Sequence, residues 1–141
     1  MYKSKIIGMG FKVPDNIISN DDLSKMMDTS DEWIQSRSGI KERRWATEEV
    51  TTSDLALSAA NNAIKNAEIN NKEIDLVIVG TLSSDYFFPG VSAQLQEKLN
   101  LNLIGAFDIK AACSAFIYSL SIADQYIKTG AAETILVVGA E

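Results

Sequence analysis

Phe107-Asp108-Ile109-Lys110-Ala111-Ala112-Cys113-Ser114-Ala115-Phe116 joins a short β-prone run to a long amphipathic one through a turn of small residues. The pattern predicts a buried strand handing over to a helix, with the only cysteine of the chain at the junction. A sulfur placed there faces unpaired backbone N–H groups and the positive end of the helix dipole, which favour its anionic form. The thiolate is the reactive species, so the position suits covalent catalysis. A lone cysteine in a soluble chain is most often a small buried hydrophobe. The strand-to-helix turn weighs against that, because ligands of α/β proteins bind outside the carboxyl ends of strands. The chain also contains no histidine, the usual activating neighbour of a cysteine nucleophile. Either Cys113 is inert or part of its site lies outside this sequence.

Working outward, the periodicities alternate between strand and helix. Ile6, Ile7, Met9, Phe11 and Val13 read as a first strand, stopped by Pro14-Asp15-Asn16. A short helix is expected after Asn20 as its N-cap, running through Leu23 and Met26-Met27. Thr29-x-x-Glu32 reads as a capping box opening a second helix, with Gly39 placed to end it. Residues 52–67 are the clearest helix: Leu55, Ala59, Ala63 and Ala67 recur every fourth residue beside Ala56, Ala60 and Ile64. Asp75–Thr81 is a continuous apolar strand of the kind buried on both faces. After a loop containing Phe87-Phe88-Pro89 comes a helix carrying Val91, Leu95 and Leu99. A strand near 105–109 then delivers Cys113, and the helix behind it stops at Gly130. Residues 134–139 are another strand expected to be fully buried. This order implies a mostly parallel sheet covered by helices.

The 141 residues make one domain's worth of chain, 46% hydrophobic and 23% charged. A net charge of −6 disfavours nucleic acid as a general partner. One cysteine excludes an internal disulfide, and without histidine a metal site such as zinc is not expected. No apolar run reaches the length of a membrane span, and the first residues do not form a secretory signal. The expected location is the cytoplasm. The sequence ends at Glu141 directly after a strand that needs cover on both faces, so a truncated α/β protein is expected.

Two blocks together resemble the β-ketoacyl-[acyl-carrier-protein] synthase III family. Thr29-Ser30-Asp31-Glu32-Trp33-Ile34-Gln35-Ser36-Arg37-Ser38-Gly39-Ile40-Lys41-Glu42-Arg43 is similar to its N-terminal motif, and Phe107–Phe116 to its nucleophile motif. Ala123–Gly130 and Leu136–Gly139 also fit, so the resemblance runs along the chain from Tyr2 to Glu141. It implies the thiolase-like fold, an α/β protein of two similar βαβαβαββ halves, of which residues 1–141 would be the N-terminal half.

It further implies that Cys113 takes an acyl group, acetyl for preference, from acyl-CoA and condenses it decarboxylatively with malonyl-acyl-carrier protein, initiating fatty acid synthesis. The backbone N–H of Cys113 would be one oxyanion-hole donor. A histidine, an asparagine and the other donor would come from the missing half, leaving the fragment alone inactive. By the same resemblance Trp33 stacks on the adenine of coenzyme A, Arg37 meets its phosphates and Thr29 hydrogen-bonds nearby. The residue types suit this, an indole offering a wide π-face and a guanidinium a phosphate fork. Phe88 would close the acyl pocket across a homodimer interface. Acyl-CoA would be a substrate, with no separate cofactor. Set against these roles, a tryptophan one turn into a helix is commonly a core anchor, Arg37, Lys41, Arg43 and Arg44 could be a solvated basic face, and Phe87-Phe88-Pro89 could be a loop tucked on the core.

Three positions depart from the pattern: Ala115 stands where glycine is usual, Ser38 where threonine is, and Lys110 is unusual. Two alternatives remain open: a related acyltransferase or condensing enzyme of secondary metabolism, and a non-catalytic subunit that dimerises with an active homologue.

Overall fold

The computed structural model describes residues 2–141, and the chain divides into two units. In the smaller, Val13–Val50, strand β1 (Asn16–Ser19) leads into helices α1 (Asn20–Ser24) and α2 (Asp31–Ser38). Strand β2 (Glu42–Trp45) then pairs antiparallel with β1, Asn16 opposite Trp45 and Ser19 opposite Glu42. Both helix starts differ from the expected ones by a single residue. Ser19, not Asn20, caps α1: its hydroxyl accepts from Asp22 N–H while Asp22 accepts from Ser19 N–H. Ser30, not Thr29, caps α2, accepting from Trp33 N–H at 3.1 Å. Gly39 ends α2 in the left-handed conformation, φ 70°.

Asn20 is instead the polar centre of this unit. Buried, it donates to Asp31 and to the Ile40 carbonyl, both at 2.8 Å, and accepts from Arg43 at 2.6 Å. The Asn20 amide, with that of Gln35, holds the Asp31 carboxyl below the usual carboxylate range.

The larger unit comprises the N-terminal segment up to Lys12 and Thr51–Glu141. It contains α3 (Thr52–Ala67), β3 (Leu76–Gly80), α4 (Val91–Lys98), β4 (Gly105–Ile109), α5 (Ala115–Thr129) and β5 (Ile135–Gly139). The three strands form a parallel sheet in the order β4-β3-β5. Parallel strands need crossovers, and helices supply them on both faces. Val77, Val79, Leu136 and Val138 pack under α3 and α4. Leu76, Ile78, Ile135 and Val137 pack under α5. Every residue of β3 is buried, as its apolar run predicts.

Two strand expectations are corrected. Residues 6–13 form no strand. A strand needs a ladder partner, and here the segment lies on α3 instead: Asn66 donates to Met9 O and Asn62 to Phe11 O. Glycine permits this approach, because a Cβ at Gly8 or Gly10 would collide with the backbone of α3 at Ala63 or Ala59. A cleft of about 900 Å³ separates residues 3–10 from β5. For the same reason β5 is not fully buried. Leu136 and Val138 are covered, but Ile135 and Val137 are half-buried, and among the described residues no strand pairs with its outer edge. No helix among the described residues is long and apolar enough to cross a membrane.

At the start of α3, Thr51 and Asp54 form a capping box, and Lys98 of α4 closes it, 2.8 Å from Asp54 and 2.7 Å from the buried Ser53 hydroxyl. Lys98 and the Thr51 N–H bring the Asp54 carboxyl down from 3.8 to about 2. A carboxyl depressed in the folded state stabilises that state when ionised. Its contribution is therefore whole above pH 3.8 and lost as the pH falls to about 2. Melting temperature should drop across that window, and less steeply for Lys98→Met, whose Asp54 lacks its main partner. Parallel curves for the two proteins would contradict the assignment.

Candidate functional site

Between β4 and α5 the chain makes one tight turn, Ala112–Ser114, with Cys113 at its centre and exposed. Ala112 has φ 48°, a left-handed conformation that costs a non-glycine residue about 1–3 kcal/mol. Such strain persists only where surrounding packing fixes it, and the packing is visible. Gly80 and Gly139 end neighbouring strands in register. A Cβ on Gly80 would stand 2.9 Å from Ala115, and one on Gly139 3.1 Å from the Phe116 ring. The paired glycines let the first turn of α5 sit directly on the carboxyl end of the sheet. Ala115, the departure from the motif, is 2% exposed and its methyl occupies that contact.

The result is a depression of about 350 Å³ lined by Cys113, Ala112, Gly80, Leu82, Phe116 and Glu141. Glu141 was not singled out from the sequence, where nothing marks it. Its carboxylate accepts from the N–H groups of Leu82 and Ser83 at 2.9 and 3.2 Å and from the Ser83 hydroxyl at 2.7 Å, tying the end of β5 to the loop after β3.

Phe88 does not line this depression. It projects from the 82–90 loop, 87% exposed, beside Phe87 at 94%. Neither is tucked on the core. Lys110 Nζ stands 5.1 Å from the Phe87 ring centroid, a cation–π contact.

Thr29, Trp33 and Arg37 belong to the smaller unit. Trp33 and Arg37 lie one turn apart on α2, and the guanidinium carbon is 4.4 Å from the indole centroid. Trp33 is 54% exposed and is no core anchor in this chain. Thr29 is half-buried just before the helix. The basic cluster separates by role. Arg43 turns inward to Asn20 and the Ile18 carbonyl, Arg44 pairs with Glu42 at 3.5 Å, and Lys41 is exposed. An exposed π-face with a guanidinium stacked on it can bind a planar anionic ligand, and an exposed thiol on a helix start can attack an electrophile.

Comparison with known proteins gives a consistent result. Residues 107–141 match a family model described as 3-oxoacyl-[acyl-carrier-protein (ACP)] synthase III. The chain is 52% identical over all 141 residues to a β-ketoacyl-[acyl-carrier-protein] synthase III of Vibrio parahaemolyticus, of which it covers 44%. It superposes on the crystal structure of 3-oxoacyl-[acyl-carrier-protein] synthase III from Aquifex aeolicus with a TM-score of 0.94 and 50% identity, over 97% of this chain and 44% of that one. The priming β-ketosynthase of the R1128 polyketide biosynthetic pathway is similar at 33% identity and a TM-score of 0.89, covering 96% of this chain and 40% of that one. The chain thus spans under half the length of the relatives it matches. Its α/β architecture is the thiolase-like one, and by sequence and fold together the chain is similar to the corresponding part of 3-oxoacyl-[acyl-carrier-protein] synthase III proteins.

Proposed function

We propose that residues 1–141 are the N-terminal half of a β-ketoacyl-[acyl-carrier-protein] synthase III and that Cys113 is its nucleophile. The Cys113 sulfur attacks the thioester carbonyl of acyl-CoA, acetyl-CoA for preference, through a tetrahedral oxyanion held partly by the Cys113 N–H. The bond to coenzyme A breaks, coenzyme A leaves as its thiol, and the acyl group remains on Cys113. Malonyl-acyl-carrier protein then loses carbon dioxide. The electron pair of that C–C bond forms the new bond to the acyl carbonyl, and the Cys113 thiolate leaves from the β-ketoacyl product. A histidine and an asparagine of the C-terminal half promote decarboxylation. Trp33, Arg37 and Thr29 receive coenzyme A, and Phe88 closes the acyl pocket of the partner in a homodimer. Acyl-CoA is a substrate and no resident cofactor is needed. The enzyme works in the cytoplasm at the start of fatty acid synthesis.

What supports this reading above all is the strained Ala112 turn, which presents an exposed Cys113 at the carboxyl end of a parallel sheet, over a depression. The test uses the longer protein that carries this chain. Acetyl-CoA should add one acetyl group to the peptide containing Cys113, and malonyl-acyl-carrier protein should then discharge it as acetoacetyl product. Acetylation elsewhere, or none, overturns the assignment. The 141-residue chain alone, which has no histidine, should make no β-ketoacyl product. The likeness to the R1128 priming β-ketosynthase favours a second reading, a priming enzyme of secondary metabolism. Primers other than acetyl-CoA would then be preferred in the same assay.

A further inference from the structure

We infer that Asp108 is a positioning residue that fixes the Phe88 loop to the strand delivering Cys113 and so sets the length of acyl primer accepted. The inference rests on the proposed role of Phe88 as the end of the acyl pocket. Asp108 lies in β4, five residues before Cys113. Its carboxylate reaches across to the start of α4, Oδ2 accepting from Val91 N–H and Oδ1 from Ser92 N–H, both at 2.8 Å. The N-cap of α4 is Gly90, which has no side chain to satisfy those donors. The missing cap is supplied from the neighbouring strand, as a charge-assisted pair at the positive end of the helix. Glycine is what admits it: a Cβ at Gly90 would lie 2.5 Å from the Asp108 Oδ2.

Phe88 is two residues before Gly90. The other root of its loop is held by Asp85, which accepts from Ser53 N–H at 3.1 Å. Burial does not fix a ring that is 87% exposed, so its position depends on these roots. One side chain therefore links the strand that carries this chain's nucleophile to the segment that closes the partner's acyl pocket.

The test compares kcat/KM for hexanoyl-CoA and acetyl-CoA in the longer protein. Asp108→Ala should raise the hexanoyl-to-acetyl ratio about tenfold, the scale on which a displaced apolar wall discriminates chain length. Asp108→Asn, which keeps one acceptor, should raise it less. Phe88→Ala should move the ratio the same way, and Asp108→Ala should add nothing to Phe88→Ala, because Asp108 acts through Phe88. A merely structural role lowers the melting temperature and weakens both primers alike, leaving the ratio unmoved. That outcome in folded Asp108→Ala or Asp108→Asn, with Phe88→Ala still shifting the ratio, overturns the inference and spares the Phe88 role. If Phe88→Ala leaves the ratio unchanged, both fall. Should Asp108→Ala fail to fold, Asp108→Asn decides.

Discussion

Cys113→Ser in the longer protein is expected to lower acyl-enzyme formation from acyl-CoA by at least about a thousandfold, the scale of losing a nucleophile from a cooperating site. A serine hydroxyl is far less ionised than a thiol at neutral pH, and the described residues offer no histidine to activate it. Stability should scarcely change. Cys113 is exposed, the turn is shaped by Ala112 and the glycines beneath α5, and surface substitutions usually stay within about 0.5 kcal/mol. Acyl stoichiometry by intact mass and thermal melting on one preparation check both halves. Near-normal acylation of the serine variant would remove Cys113 from its role, whereas lost acylation with a collapsed melting temperature would point to the turn instead.

The second large effect is expected for Trp33→Ala. If the indole stacks on adenine, acyl-CoA binding should weaken by about 1–3 kcal/mol, by analogy with base–aromatic stacking elsewhere. Use of malonyl-acyl-carrier protein should suffer less, since the carrier arm brings no adenine. A buried tryptophan would cost about 3–5 kcal/mol of stability on truncation. At 54% exposure, Trp33 should cost far less, little beyond its stacking with Arg37, about 0.5–1 kcal/mol at an exposed site. KM for each substrate, measured alongside melting, separates the cases. Equal losses with both substrates and a large drop in melting temperature would make Trp33 scaffold.

Residues whose neighbours are close in sequence were the legible ones. The alanine-lined helix over 52–67 and the buried strand through Val77 and Val79 were readable because their periods match their burial. So were the glycine stops at Gly39 and Gly130, which local backbone geometry dictates. The failures lie where distant partners decide. Ile6 to Val13 has strand composition, but pairing depends on a neighbouring strand, and the segment settles on the asparagines of α3. β2 is Glu-Arg-Arg-Trp, with no apolar alternation to announce it, and pairs because β1 lies opposite. Cys113 was conspicuous as a lone thiol at a turn. Glu141 and Asp108 were not, because a carboxylate shows its use only once the N–H groups it receives have been folded against it.

Gly80 abuts Ala115 and Gly139 abuts Phe116, the two residues that open α5. Across a lineage, then, these positions cannot drift separately. A methyl gained at Gly80 would stand 2.9 Å from the Ala115 carbonyl carbon and 3.0 Å from the Phe116 nitrogen as well as against the Ala115 methyl, so it finds room only where the first turn of α5 moves, and the thiol with it. What descends from ancestor to descendant is therefore a joint constraint on two glycines that close strands and the two residues that open the helix above them. A cysteine copied into another sheet without those glycines would inherit the sulfur but not its placement.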